Sequence, residues 1–186
     1  MSRAIQIRVS ESVVRTIHVE DGVQSPLELL PVLAPERMAD LLATELEAQG
    51  FTRHGATATR VDPDGIEIAV DLEAATVSAK LGASAKLSEQ VALEARVAEE
   101  GRTHAEAHLR AAAAGELDKR IDAHAEGLRR EVTGTLERKL GDLRAELDHA
   151  IGRATVAALT ERAQQLGEIQ ELVADAAGNV TIGVKL

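Results

Sequence analysis

LDKRIDAHAEGLRREVTGTLERKLGDLRAELDHAIGRATVAA, residues Leu117 to Ala158, is the stretch from which the rest of the chain is read. Its apolar residues form one seam: Leu117, Ile121, Ala125, Leu128, Val132, Leu136, Leu140, Leu143, Leu147, Ile151, Ala154 and Ala158. The mean step is about 3.7 residues, above the 3.5 of a heptad, so the pattern predicts a straight or slightly right-handed helix. Ala, Glu, Arg and Leu, all strong helix formers, dominate the stretch. An amphipathic helix of this length cannot leave its seam in water. It needs a partner, either another protomer or its own folded-back half.

The same composition, without proline, extends the predicted helical segment over residues 83–167, as a coiled coil or a helical hairpin. Its glycines are the candidate breaks, each costing about 1 kcal/mol relative to Ala inside a helix. The seam is thinnest at Glu99-Glu100-Gly101 and at Ala114-Gly115. It crosses Gly134 in phase. Gly127, Gly134 and Gly141 recur every seven residues, as a close-approach face between helices would require, or by chance.

Upstream, over residues 1–82, the period changes and the reading is an α+β module of ββ-α-βββ order. Ile5, Ile7 and Val9 alternate with polar residues, as in a half-buried strand. Val13, Val14, Ile17 and Val19 form a second β-type run, and Ser10-Glu11-Ser12 reads as a hairpin connection. Glu20-Asp21-Gly22 reads as a turn. A helix begins near Pro35, which suits a first turn because its missing N–H has no partner there. Met38, Leu41, Leu42 and Leu46 make its apolar stripe, Gly50 its stop, and Phe51 a fold-back contact. Three strands follow, near 56–62, 65–72 and 75–81, the first two joined by the turn Asp62-Pro63-Asp64-Gly65.

Downstream, over 168–186, Gly167 ends the helix. Ile169, Glu171 and Val173, the turn cluster Asp175 to Asn179, and the alternation of Val180, Ile182, Val184 and Leu186 read as a C-terminal β-hairpin. The alternative continues the helix through Leu172 and leaves a single strand. The fold class is therefore α+β.

Composition removes several functions. The chain has 186 residues, a net charge of −10, no Cys, Trp or Tyr, and one Phe. A thiol enzyme or disulfide scaffold is impossible. Base stacking lacks its aromatic rings, and the acidic balance disfavours phosphate backbones, so no nucleic-acid partner is expected. No apolar run approaches the ~18 residues of a membrane span. The start of the chain has no basic segment leading an apolar one, so a cytoplasmic protein is expected.

Chemistry-bearing constellations are few. Among six histidines, His104 and His108 alone have ligand-like spacing, one helical turn apart, but no third ligand stands out; a solvated helix face explains them as well. Asp62, Asp64 and Asp71 flank one hairpin, with a glycine at the wrong offset for a calcium loop. Arg129-Arg130 suits an acidic partner or an ordinary charged helix surface. No serine has a nucleophile-elbow setting, and there is no phosphate-binding glycine loop. The expectation is no enzyme, no cofactor, and no catalytic, cofactor-binding or metal residues.

Five segments carry a resemblance: Ser2-Arg3-Ala4 through Arg8-Val9, HVEDGV (His18 to Val23), LELLPVL (Leu27 to Leu33), PERMADLLATELEAQGF (Pro35 to Phe51) and DPDGIEIAVDL (Asp62 to Leu72). Together they resemble the fifth accessory domain family of bacterial FtsH-type ternary systems, relatives of the vWA–MoxR ternary systems. The resemblance implies a context: an accessory subunit beside an AAA+ ATPase, in systems of biological conflict such as phage defence. It carries no catalytic residue over. The reading is a non-enzymatic adaptor or scaffold acting through protein–protein contacts with the ATPase or other subunits. Two alternatives stand beside it. One is a coiled-coil protein that forms a homo-oligomer through residues 84–166. The other is a metal-dependent enzyme using His104 and His108.

Overall fold

A computed structural model describes residues 3–174 and 180–185. In chain order the elements are β1 (Ala4–Pro26), α1 (Pro35–Glu47), β2 (Thr52–His54), β3 (Thr57–Val61), β4 (Glu67–Asp71), β5 (Thr76–Ala98), a 3-10 turn (Glu99–Gly101), α2 (Arg102–Leu166), β6 (Glu168–Ala174) and β7 (Val180–Lys185). One sheet has the order β1-β5-β4-β3-β2, and β6 pairs with β7 in a second. This is the expected α+β class. The chain divides into two compact units, Met1–Asp21 with Gly82–Gly134 and Gly22–Leu81 with Thr135–Leu186.

Three local expectations need correction. The first concerns the N-terminal hairpin, which is instead the single strand β1, 23 residues long. Parity explains it. Ile5, Ile7, Val9, Val13, Ile17 and Val19 are all odd-numbered, and the odd face stays in register through Glu11 and Arg15. Val14 falls on the opposite face and is exposed. Glu20-Asp21-Gly22, read as a turn, continues the strand. A side chain at Gly22 would come within 3.1 Å of Lys80 and 3.2 Å of the Ala79 carbonyl oxygen, so glycine permits close approach of β5 there.

The second correction concerns the start of the long helical segment. Residues 84–98 belong to β5, and α2 begins only at Arg102. Ala83, Ala85, Leu87, Val91, Leu93, Ala95 and Val97 alternate with exposed residues, again with one parity. Their Ala-rich composition favours helix, but the packing of a two-residue repeat overrides propensity. The third concerns the breaks. α2 runs without interruption through Gly115, Gly127, Gly134, Gly141 and Gly152 to Leu166, 65 residues in all. A Cβ at any of these glycines would meet nothing within 4 Å, so they make no close-approach face within the chain.

In the first unit, β1 and β5 form an antiparallel ribbon. Gln6 Nε2 donates to Glu94 Oε2 at 2.9 Å, Gln90 Nε2 donates to Ser10 Oγ at 2.8 Å, and His18 Nδ1 lies 2.7 Å from Ser84 Oγ. The seam of α2 buries on this ribbon. Ile121 clusters with Ile17 and Val19, flanked by Val13, Leu87, Ala125 and Leu128. Ala113 and Leu117 cluster with Val91, flanked by Val13 and Leu93. In this unit the seam from Ala113 to Leu128 packs against the chain's own sheet. Small Ala113 lets the helix backbone approach the strands, as a core without aromatic rings needs.

In the second unit, α1 has Pro35 in its first turn and buries Met38, Ala39, Leu42, Ala43 and Leu46. Its end is a Schellman motif: Phe51 N–H donates to Leu46 O at 3.1 Å and Gly50 N–H to Glu47 O at 3.0 Å, with Gly50 at φ +86°. The β3–β4 turn closes as expected, with Gly65 N–H donating to Asp62 O at 3.0 Å and Gly65 at φ +79°. The register Ala58↔Val70, Arg60↔Ile68, Val70↔Val77 and Ile68↔Ala79 places these residues on one face of the sheet. The strand β2, pairing Thr52↔Thr59, is additional to the three read from the sequence. At the C-terminus the hairpin is formed, with Ile169↔Val184 and Leu172↔Ile182 in register. The turn cluster 175–179 lies outside the described residues.

Candidate docking surfaces

His104 and His108 are both exposed on α2, and Glu106 between them is held by Arg102 at 2.7 Å. Among the described residues no group of three or more His, Asp or Glu is arranged to hold a metal ion. The three aspartates serve structure. Asp62 Oδ1 accepts from the N–H groups of Asp64 and Ile66, and Asp71 Oδ1 from those of Glu73 and Ala74. Asp64 pairs with Lys139 at 2.5 Å. Arg129 and Arg130 both return to Glu126 on their own helix, Arg129 to its carboxylate and Arg130 to its carbonyl oxygen. These are the side-chain pairs of a solvated helix face.

The charged centre that sequence reading did not single out is Arg60. It stands on the helix-facing side of β3, and its side chain is only 20% exposed. Its guanidinium lies 4.4 Å from the Phe51 ring centroid, donates to the Gln49 carbonyl oxygen at 2.9 Å, and grips Glu146 of α2 with both terminal nitrogens. Gln49 Nε2 also donates to the Glu146 carbonyl oxygen at 3.3 Å. The hydrogen bond with Arg60 holds the Glu146 carboxyl below the ordinary carboxylate range, against the opposing effect of burial. The same bond raises the Arg60 pKa further. The signal was an arginine at an inward strand position, in phase with Ala58, two residues before the turn.

Ion pairs also tie α1 to α2: Arg37 to Glu161 at 2.9 Å and Arg153 to Glu45 at 2.5 Å. Beside the Arg60–Glu146 pair is a cavity of about 350 Å³ between β3, β4 and α2, floored by Ile66, Ile68 and Leu143. A larger groove of about 750 Å³ opens between the end of β1, the segment after it, and α2 from Leu140 to Leu159. Its apolar wall includes Val23, Leu30 and Leu159, which are exposed at 38%, 60% and 40%. Contiguous exposed apolar surface on a small domain marks a contact site more often than a catalytic one. The groove's two hydroxyl side chains bond to backbone, Ser25 Oγ donating to the Pro26 carbonyl oxygen and Thr155 Oγ1 to that of Ile151.

Comparison with known families matches the whole of residues 1–186 to the family described as FtsH ternary system domain X5. The chain belongs to this family. The resemblance carried by the N-terminal segments thus extends over α2 and the C-terminal hairpin. No curated protein and no solved structure matches the chain. Family membership places it in an FtsH-associated ternary system and points to partners within that system. Among the described residues no helix is long and apolar enough to cross a membrane.

Proposed function

We propose that this chain is a non-enzymatic, cytoplasmic adaptor of a bacterial FtsH-type system, joining an AAA+ ATPase to another component through protein–protein contacts. The reading is supported above all by family membership over the full chain. It is consistent with side chains that are spent on holding turns, helices and the α1–α2 junction. The groove of the second unit offers an apolar surface suited to binding. A role in biological conflict, including phage defence, belongs to the same proposal and follows from the family context.

Light scattering on a size-exclusion column, with and without the FtsH-type ATPase of the same system, tests it. A rise in the mass of the eluting species on mixing, at a defined stoichiometry, supports the adaptor. Unchanged elution of both proteins across nucleotide states overturns it. Self-assembly through the helical segment loses its physical motive in the first unit, where the seam is already covered by β1 and β5.

A further inference from the structure

We infer that the groove of the second unit binds an amphipathic peptide segment of a partner, apolar on one side and carrying Lys or Arg beside that face. The inference rests on the adaptor reading and names the chemistry of its partner. The apolar half of the argument is the wall. Three of the large exposed hydrophobic residues, Val23, Leu30 and Leu159, surround one opening rather than being scattered. Leu147 and Ile151 of α2 deepen it. A volume of about 750 Å³ accommodates several side chains of a peptide.

The charged half is the rim. The second unit carries nearly two acidic side chains for every basic one. Five of its carboxylates are held in ion pairs: Glu45 with Arg153, Glu146 with Arg60, Glu161 with Arg37, Asp64 with Lys139 and Asp40 with Arg53. Glu28 and Asp148 line the groove, and neither takes part in any ion pair among the described residues. Arg144 is the single basic residue of the lining. Uncompensated carboxylates around an apolar floor favour a cationic amphipathic partner and disfavour an anionic one through complementarity of charge.

The test titrates the full chain into two short fluorescent peptides of identical leucine pattern, one Leu/Lys and one Leu/Glu, at physiological salt. The Leu/Lys peptide should bind at least ~10-fold tighter than its twin. Leu159→Asp, and separately Leu30→Asp, should weaken that binding by ~10-fold or more; both residues are partly exposed, and circular dichroism checks that each variant folds. Glu28→Lys with Asp148→Lys should erase the preference between the peptides. The aspartate variants make the decision clear, because added negative charge strengthens mere attraction of a cationic peptide while it spoils an apolar groove. Unchanged or tighter binding by Leu159→Asp overturns the inference, as does equal binding of the twins or none. So does a wild-type dimer that Leu159→Asp converts to monomer, since the occupant is then a second copy. Failure here leaves the mixing experiment with the ATPase standing. Failure of that experiment alone, with groove binding intact, removes the adaptor reading but not the peptide specificity.

Discussion

Arg60 on β3 meets Glu146 on α2 through two hydrogen bonds, 2.5 and 2.8 Å long, with the Phe51 ring stacked on the guanidinium. The geometry is the bidentate fork that only arginine supplies. It also satisfies the end of α1 through the Gln49 carbonyl oxygen. One side chain therefore fastens a strand, a helix end and a second helix. Arg60→Met should cost about 1–3 kcal/mol, because it leaves the half-buried Glu146 without its partner. Arg60→Lys should recover only part of the loss. Urea denaturation of each single variant and of the double variant with Glu146→Gln measures the coupling. Additive single effects would show that the pair contributes nothing specific.

The same pair sets an acid dependence. The folded-state pKa of Glu146 is lowered, chiefly by its hydrogen bonds with Arg60. Its contribution to stability is therefore complete above the unfolded glutamate pKa, near ~4.3, and disappears as pH falls through the lower folded value. The denaturation midpoint of the wild type should drop through this acid window more steeply than that of Glu146→Gln. Parallel curves for the two proteins would refute the assignment.

How much of this was legible in the sequence depends on the residue. Local signals held where the chemistry was local. Pro35 and Gly50 bounded α1, Asp62 to Gly65 made the β3–β4 turn, and each seam position from Leu117 to Ala158 is buried or half-buried. Glu11, Arg15 and Glu89 hid the long strands, because charged residues at inward positions interrupt an apolar alternation. Two of those charges find partners on α2: Arg15 pairs with Asp118, and Glu89 with Arg120 and His124. The groove was not legible, since its walls come from residues more than a hundred positions apart. Arg60 was visible only as an arginine, and its partner 86 residues away gives it meaning.

The ribbon of the first unit makes a sharper prediction about strand continuity. Ile17 packs with Val19 and Ile121, whereas Val14 is 63% exposed on the opposite face. Ile17→Ala should destabilise by about 2–4 kcal/mol, as a large-to-small change in a packed core does. Val14→Thr should stay within about 0.5 kcal/mol. A hairpin at Ser10-Glu11-Ser12 would break the shared parity and give no such contrast. Thermal melts of the two variants decide between them.

The helical glycines give the last test, and its sign separates two structures. Gly127 and Gly141 lie within α2 with open space where a Cβ would stand. Each replacement by Ala should stabilise by about 0.5–1 kcal/mol, the ordinary helix-propensity gain. Gly50→Ala, at φ +86° in the Schellman motif, should destabilise by about 1 kcal/mol. If instead the seven-residue glycine spacing served a close helix–helix contact between copies, Gly127→Ala and Gly141→Ala would both lower the melting temperature. Light scattering would then show a larger species falling apart in those variants. A melting temperature that rises for the helical pair and falls for Gly50→Ala matches a seam already occupied by the chain's own strands.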